Sequence, residues 1–559
     1  MYSSAEIHGA LDHFRSVCGS ACEEQEKLLR RIIRENSGTE FGRRYGFSSV
    51  TDINGYRDRV PVTTFSDYDT YIERITRGER NILTAEPPVF YNISSGSTGE
   101  PKYIPICRED IDLQKLYFED AIAGMISEAI PHGSEDELFG RIFNLGDVFM
   151  TEMPDGTPNG IRSGIYYQTA VKNGSLDCSV FPAPKEAMFP QDPDNMLYVK
   201  VRFALADPDI TAIHGIFAHR ASPIFRFILN NWDELVNDTE KGTVNDSFNV
   251  SGQWKEYLKN NLPPAPERAA YLRSLSAAGL EDDMLIKIWP KLKYIKLIAG
   301  DIFGTRGDNI GRMIGSVPVH NFAYAASESV IGIAPKLSLR NRYVLLPDAC
   351  FFEFRHIDNL GEPREFVTMR EVEVGERYDL IITTVSGLYR YDLADIIEVT
   401  GMYGNAPEIR ICYRKDVVLS VADEKLNTMQ FENAMRLFMD RTGITAEGYF
   451  ISGSYDVFPP GYDLFIETPD DITDSFPDIL DGCLRESSVN YRFARDIYEI
   501  SAPVITKLAA GTVAGYDEKR RSEGKRTDQS KPLHIVNDKQ KIMWFEQFKE
   551  KRINGTQDE

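Results

Sequence analysis

Apolar residues recur at two spacings along the chain, and the two spacings predict its helices and strands. In residues 5–35 the apolar side chains stand three or four positions apart, as on one face of an amphipathic helix. The segments 294–299, 343–354 and 378–385 are instead short, almost continuous apolar runs, which are typical of buried strands. Because such runs alternate with helical segments up to about residue 415, the pattern predicts an α/β body with mixed, mostly parallel sheets.

The pattern changes near Arg414–Asp416. The elements predicted after this point are a helix over 426–442, strands over 447–452 and 463–467, and a helix over 472–486. This order is compatible with a small α+β domain, so we expect a large domain over residues 1–415 and a small one over residues 416–559. The polar tail beyond Gly511 is expected to become ordered only when something is bound.

Composition narrows the class of protein. A chain of 559 residues is too long for one ordinary hydrophobic core and predicts two or more domains. Its 63 basic and 85 acidic residues give a net charge of −22, which argues against nucleic acid as a partner. Seven irregularly spaced cysteines favour a reducing compartment, and neither a signal peptide nor a bilayer-length apolar run is predicted. We therefore expect a cytoplasmic protein without membrane contact.

The stretch Tyr91–Pro105, YNISSGSTGEPKYIP, is a candidate phosphate-binding loop. Its glycines allow consecutive backbone N–H groups to point at one anion, its hydroxyl groups add donors, and Lys102 adds a mobile positive charge. A strand-like apolar run directly precedes the loop, which is the context that a phosphate loop requires. The same composition also suits a surface turn, and the stretch alone does not decide between these two interpretations.

Four motifs and their order resemble a known family. SSGSTGEPK at 94–102, YAASE at 324–328, LYRYDLAD at 388–395 and RKDVVLS at 414–420 resemble the adenylate-forming enzymes. Other stretches, such as VPVTTFSDYDTYIERITRGE at 60–79, are similar to the acyl acid–amido synthetases of the Gretchen Hagen 3 family. The resemblance covers nearly the whole chain, and the opening loop suggests a bacterial or otherwise divergent member.

The resemblance implies a firefly-luciferase-like fold, in which a large N-terminal body is followed by a small mobile C-terminal domain. It also implies a two-step reaction that uses ATP and Mg²⁺. A carboxylate attacks the α-phosphorus to give an acyl-adenylate and pyrophosphate, and an amine, usually that of an amino acid, then displaces AMP. Since the anhydride already supplies a good leaving group, the protein mainly positions the reactants and neutralises developing charge.

The same resemblance implies roles for individual residues. Lys102, Lys425 and Lys531 are expected to be catalytic, by approaching the phosphates and the reacting carboxylate. Glu328 is expected to hold Mg²⁺, and Phe217 and Val330 are candidate walls of an apolar acyl pocket. The residues expected to bind ATP are Ser94, Ser95, Gly96, Ser97, Thr98, Gly99, Tyr324, Ala325, Ala326, Ser327, Glu328, Asp395 and Arg414.

Alternatives remain open for the residues and for the reaction. Tyr324 also suits a core aromatic side chain, Glu328 a helix cap, and Asp395 a structural ion pair. Ala394 stands where the family usually has glycine, and KPLH at 531–534 replaces the usual Lys-x-Pro-Arg. These departures motivate a nucleotide- or acyl-binding protein without turnover. The same adenylation chemistry also suits a ligase that passes the acyl group to coenzyme A or to a carrier protein.

Overall fold

The structure is a computed structural model. It describes residues 3–95, 101–146, 150–172, 174, 178–187, 193–248, 250–276, 280, 282–298, 307–357, 363–415, 418–419, 421, 426–454, 460–496, 500–523 and 534–554. No helix in these ranges is long and apolar enough to cross a membrane. The chain divides into two units. Unit 1 comprises Met1–Phe303, Gly307–Leu393 and Glu398–Arg410, and unit 2 comprises Gly304–Arg306, Ala394–Ile397 and Ile411–Glu559.

In the described part of the chain before residue 415, helices and strands are unevenly distributed, with only helices up to Thr76 and only strands from Val319 onwards. The helices are α1 Ser4–Gly19, α2 Ala21–Glu35, α3 Glu40–Arg44, α4 Ile53–Arg59, α5 Asp69–Thr76, α6 Arg108–Gln114, α7 Ile122–Ala129, α8 Glu135–Phe139, α9 Arg162–Lys172, α10 Pro193–Ala206, α11 Ala218–Asn230, α12 Trp232–Lys241, α13 Gly252–Asn261, α14 Pro266–Ser276, α15 Met284–Ile288 and α16 Gly307–Ile314, with a π-helix at Lys115–Ala121. The strands are β1 Phe90–Ser95, β2 Pro101–Ile106, β3 Ile142–Asn144, β4 Met150–Glu152, β5 Pro158–Gly160, β6 Ala212–Phe217, β7 Tyr294–Ile298, β8 Val319–Asn321, β9 Ala323–Ala325, β10 Val330–Ile333, β11 Tyr343–Leu345, β12 Cys350–Ile357, β13 Pro363–Val367, β14 Arg377–Thr384, β15 Tyr391–Tyr403 and β16 Ala406–Arg414.

These strands form three sheets of different kinds. One has the order β3-β6-β7-β8 with every neighbouring pair parallel, and a second has the order β2-β1-β5-β4 with only β1 and β5 parallel. The largest has the order β13-β12-β14-β15-β16-β11-β10-β9, and its described pairs are antiparallel. Mixed sheets were predicted, but the expected predominance of parallel strands is wrong for this sheet. Its strands follow one another without intervening helices, and parallel neighbours require long crossovers.

The parallel sheet has one apolar face and one more polar face. Ile295 and Leu297 alternate with Lys296 along β7, and both apolar side chains are fully buried in the core formed with helices α10–α16. On the other face, Lys296 Nζ donates to Glu119 Oε2 at 2.9 Å. Glu119 belongs to the π-helix, so a buried ion pair links that helix to the sheet.

Unit 2 contains its own sheet between two groups of helices. Its elements are β17 Val418–Leu419, β18 Leu426–Asn427, α17 Thr428–Thr442, β19 Gly448–Ser454, β20 Gly461–Glu467, α18 Phe476–Ser487, α19 Val489–Asp496, β21 Val504–Leu508, α20 Thr512–Ser522, α21 Lys539–Glu546 and β22 Lys549–Asn554. The sheet order is β19-β20-β21-β22, with β20 and β21 parallel. Side chains of α17 and α18 pack on one face, and Tyr516 of α20 and Phe545 of α21 pack on the other.

The described part of the polar tail forms regular secondary structure. It forms α20, α21 and β22, because a few apolar residues among the charges are buried in the unit 2 cores. At the β19 edge of the sheet, Ile535 forms a β-bridge with Ile451. The backbone of Ile451 forms hydrogen bonds of 2.9 Å with the backbones of His534 and Val536. The opposite edge strand is β22, with the sequence KEKRIN.

Unit 2 also contains a buried carboxyl group. Asp463 on β20 is 3% exposed, and its Oδ2 lies 3.1 Å from Arg552 Nη2 and accepts a hydrogen bond from Thr506 Oγ1 at 3.2 Å. Its Oδ1 has no hydrogen-bond partner among the described residues. Burial raises the pKa of Asp463 to about 7, whereas an exposed aspartate titrates near ~4. The folded state therefore binds this proton more tightly than the unfolded state.

This raised pKa predicts that the protein loses stability as pH rises. The contribution changes across the window from about 4, the unfolded pKa, to about 7, the folded pKa, because deprotonation leaves a buried charge. Between pH 5 and pH 8, Asp463 should lower the free energy of unfolding by about 2–3 kcal/mol. Urea unfolding of the full chain at both pH values measures this. Asp463→Asn should remove that part of the pH dependence, and an unchanged pH dependence in the variant would contradict the prediction.

Candidate active site

Three of the motifs meet in unit 1 through two side-chain hydrogen bonds. Asn92, in the strand before the candidate phosphate loop, donates from Nδ2 to the backbone oxygen of Ser327 at 2.8 Å. Tyr391, in the LYRYDLAD motif, donates from its hydroxyl to Glu328 Oε1 at 3.2 Å. The first contact is partly buried, the second is buried, and both end on the YAASE segment. The chain therefore places the strand of the first motif and part of the third motif against the second.

The YAASE segment is a tight connection between two antiparallel strands. Tyr324 on β9 pairs with Gly332 on β10, and its ring lies 6.0 Å from the ring of Tyr343 at a tilt of 41°. Ala325 is exposed, whereas Glu328 and Val330 are buried. Tyr324 is thus both a core aromatic residue and the last large side chain before an open turn. The alternative role of Glu328 as a helix cap is excluded, because Val330 begins a strand.

Glu328 is a buried side chain that one hydrogen bond orients. It is 7% exposed, and the Tyr391 hydroxyl fixes one of its two oxygens. Within the described ranges, no cluster of three or more His, Cys, Asp or Glu residues provides a complete metal site. Mg²⁺ usually takes one or two protein carboxylates and fills its remaining positions with water and substrate phosphate. A single oriented glutamate therefore fits Mg²⁺ better than it fits a metal that needs an all-protein cage.

The third motif is held in place by a buried ion pair. Arg390 donates from Nε to Glu353 Oε2 at 2.9 Å and from Nη1 to the Val60 oxygen at 2.8 Å. Its backbone is in the left-handed region, with φ +48°. Glu353 on β12 thus supplies the carboxylate that neutralises Arg390. Asp395, further along β15, is also buried.

Ala394, next to Asp395, also has left-handed backbone, with φ +60°. This conformation costs a residue with a Cβ about 1–2 kcal/mol, and glycine avoids most of that cost. Ala394→Gly is therefore expected to raise the free energy of unfolding by about 0.5–1 kcal/mol, after allowance for the more flexible unfolded chain. The same change at Ala270, on the exposed side of α14, should instead lower it by about 1 kcal/mol. Urea unfolding of both variants tests the opposite signs, and a loss of stability in both would contradict the prediction.

The candidate phosphate loop joins the two strands of a hairpin. Ser94 and Ser95 are the last two residues of β1, and β2 begins at Pro101. Ser94 pairs with Lys102. Lys102 Nζ lies 5.1 Å from the centre of the Phe65 ring, where a cation–π contact orients it. Gly96, Ser97, Thr98, Gly99, Lys425 and Lys531 lie outside the described residues.

Two further predicted residues are described by their backbone position alone. Arg414 ends β16. Phe217 ends β6, where it pairs with Ile298 at the carboxyl edge of the parallel sheet.

Family models match three consecutive parts of the chain. The GH3 family N-terminal domain matches residues 10–319, the GH3 family central domain residues 343–414, and the GH3 family C-terminal domain residues 429–540. The chain belongs to the GH3 family. The family prediction from the four motifs is therefore confirmed.

Individual relatives agree with this assignment. The GH3 protein is 28% identical to indole-3-acetic acid-amido synthetase GH3.3 of Arabidopsis thaliana over 421 residues, which cover 74% of this chain and 70% of that protein. It is 27% identical to indole-3-acetic acid-amido synthetase GH3.8 of Oryza sativa subsp. indica over 427 residues, 74% of this chain and 69% of that one.

Solved structures show the same fold. The structure titled GH3.15 acyl acid amido synthetase has a TM-score of 0.85 at 22% identity, with 98% of this chain and 97% of that one covered. The structure titled AtGH3.15 acyl acid amido synthetase in complex with 2,4-DB has a TM-score of 0.87 at 21% identity, with 100% and 99% covered. The predicted fold class, an α/β body with a small α+β domain at its C-terminal end, is confirmed.

Sequence reasoning missed two residues that join the motifs of this GH3 protein. Asn92 lies in the stretch Tyr91–Pro105 and Tyr391 in the LYRYDLAD motif, yet neither received a role. Asn92 gives a weak signal, since it is a polar side chain inside the otherwise apolar run Val89–Ile93. Tyr391 gives no such signal, because its sequence context is that of an ordinary aromatic residue in a buried strand.

Proposed function

We propose that the protein is an ATP-dependent acyl acid–amido synthetase. It joins a carboxylic acid to AMP with release of pyrophosphate, and then passes the acyl group to an amine, with an amino acid as the expected acceptor. The observation that carries this proposal is the meeting of the three motifs at Ser327 and Glu328. The amido synthetases among its sequence relatives support the same reaction class.

The residues of this meeting point have distinct proposed tasks. Asn92 fixes the backbone at Ser327, so that the turn after Tyr324 keeps one conformation for the adenine ring. Tyr391 orients Glu328, the proposed ligand for Mg²⁺. When bound, Mg²⁺ would neutralise charge on the phosphates of ATP. Asp395 is proposed to accept hydrogen bonds from the ribose hydroxyls.

The remaining predicted residues are proposed to act on the phosphates and the acid. Ser94, Ser95 and the loop Gly96–Gly99 would bind the phosphates through hydroxyl and backbone N–H groups, and Lys102 would add positive charge. We assign residues 416–559 as the mobile domain that supplies Lys425 and Lys531, with Arg414 at its boundary. Phe217 and Val330 are proposed walls of the acyl pocket, and the buried position of Val330 suits that role.

A panel of carboxylic acids tests the proposal. The purified protein is mixed with MgATP and one acid at a time, and pyrophosphate release is measured without an acceptor, then with amino acids, and then with coenzyme A. We expect acid-dependent release, and an amide together with AMP when an amino acid is present. Completion by coenzyme A alone would overturn amide synthesis. No release with any acid would favour a binding protein without turnover.

A further inference from the structure

A buried arginine beside the YAASE segment has hydrogen-bond donors that the fold leaves unused. We propose that Arg162 binds the carboxylate of the acyl acid through its Nε and Nη2 atoms. The inference rests on the proposed function and deepens it, because it assigns the group that recognises the acid before activation. Arg162 begins α9 directly after β5 and is 8% exposed.

One edge of the Arg162 guanidinium already has a firmly held partner. Its Nη1 atom donates to Asp110 Oδ1, and both residues are buried. The other oxygen of Asp110 accepts hydrogen bonds from Ser329 Oγ at 3.4 Å and from Ser386 Oγ at 3.3 Å. Asp110 is therefore a fixed counter-charge, and the pair as a whole carries no net charge.

The second edge of the guanidinium is buried and unsatisfied. In the described part of the chain, neither Nε nor Nη2 of Arg162 has a hydrogen-bond partner. Arg495 in unit 2 shows how a purely structural pair differs. It is also buried against an aspartate, Asp481, yet its Nε, Nη1 and Nη2 atoms all have acceptors. Unsatisfied donors on a buried charge are costly and rare, so a ligand is the natural partner for this edge of Arg162.

The geometry of this edge fits a carboxylate. Nε and Nη2 present two nearly parallel N–H groups, which match the two oxygens of a carboxylate in a bidentate contact. A polyphosphate fits less well, because Asp110 already cancels the charge of Arg162 and a multiply charged anion needs a net positive site. The local charge therefore favours a single carboxylate over the phosphates of ATP.

The location of Arg162 fits the acid as well. Ser329, which contacts Asp110, lies between Glu328 and Val330, the proposed metal ligand and the proposed acyl-pocket wall. Two residues before Arg162, Gly160 pairs with Asn92 of β1, the strand that leads into the phosphate loop. A carboxylate on Arg162 would thus lie where the acyl pocket meets the ATP-binding segments.

Arg162→Lys tests the proposal, since lysine keeps the positive charge beside Asp110 but lacks the two-donor edge. The probe is the acid that gives the fastest pyrophosphate release in the panel. We expect its KM to rise by about 10–100-fold, as for the loss of a charge-assisted hydrogen bond, while the KM for ATP changes less than about 2-fold. The carboxamide of the same acid, used as a competitive inhibitor, should bind wild type and variant equally well.

Arg495→Lys is the matched control, because it makes the same change in a buried arginine–aspartate pair with no unused donors. It should leave the KM of the acid and that of ATP unchanged. The melting temperature of each variant is measured alongside, so that a folding defect is recognised. An unchanged acid KM in folded Arg162→Lys, or an equal rise for acid and ATP, would overturn the proposal for Arg162. Absence of pyrophosphate release from the wild-type protein would instead overturn the proposed function.

Discussion

Glu328→Gln is expected to lower acid-dependent pyrophosphate release by about 10²–10³-fold at saturating ATP. The amide retains the size of the carboxylate and can still accept the hydrogen bond from Tyr391 at 3.2 Å, so the fold around it should persist. It carries no charge, however, and a neutral oxygen is a poor ligand for Mg²⁺. Single-turnover measurement of pyrophosphate across a range of Mg²⁺ concentrations tests this prediction. The Mg²⁺ concentration that gives the half-maximal rate should be higher for the variant than for the wild-type protein.

Tyr391→Phe is the matched control for Glu328→Gln. It keeps the negative charge of Glu328 and removes only the hydroxyl that orients it, so its loss of rate should be about 10-fold and therefore smaller. Equal effects of the two changes would mean that orientation matters and charge does not. A Glu328→Gln protein with full rate and an unchanged response to Mg²⁺ would show that Glu328 is not the metal ligand.

Glu353→Ala is expected to lower the free energy of unfolding by about 3–5 kcal/mol. Glu353 is 1% exposed and accepts hydrogen bonds from Arg57 Nε at 2.8 Å and Arg390 Nε at 2.9 Å. Its removal leaves a buried guanidinium without a counter-charge. Because Arg390 directly precedes Tyr391, pyrophosphate release should fall as well. Urea unfolding and the pyrophosphate assay measure the two effects.

Glu486→Ala provides the comparison on the surface of unit 2. Glu486 accepts two hydrogen bonds from Arg441 at 2.8 Å, but the two side chains are 53% and 41% exposed. Water therefore replaces the lost contact, and the expected loss of stability is much smaller than that of Glu353→Ala. A similar loss of stability in Glu353→Ala and Glu486→Ala would contradict the role given to the buried pair.

Local structure was largely predictable because local sequence determines it. The helical spacing over residues 5–35 became α1 and α2, and the apolar runs near 294–299 and 378–385 became β7 and β14. The direction of strands was less predictable, because an apolar run does not say which strand it will pair with. The antiparallel pairs of the largest sheet follow from short connections, which composition alone does not distinguish from crossovers.

The candidate site was predictable as motifs but not as contacts. Asn92 and Ser327 are 235 positions apart, and no local pattern indicates that one side chain reaches the backbone of the other. Arg162 is a further example, since one arginine at the start of a helix reads as a surface charge until its burial is known. Ala394 was predictable in part. The sequence identified it as a departure from the family, but only the structure gives its left-handed backbone.

The two edge strands of the unit 2 sheet, β19 and β22, are protected from self-association in different ways. Residues 534–536 cover the β19 edge. Their hydrogen bonds occupy the backbone N–H and C=O of Ile451, to which another chain could otherwise bind. Among the described residues the β22 edge has no such cover; it carries the charged side chains of Lys549, Glu550 and Lys551, whereas Arg552 is paired with Asp463. Charged edge strands repel a second copy of themselves. Concentrated salt, which screens such charges, should therefore favour edge-to-edge association at β22 first.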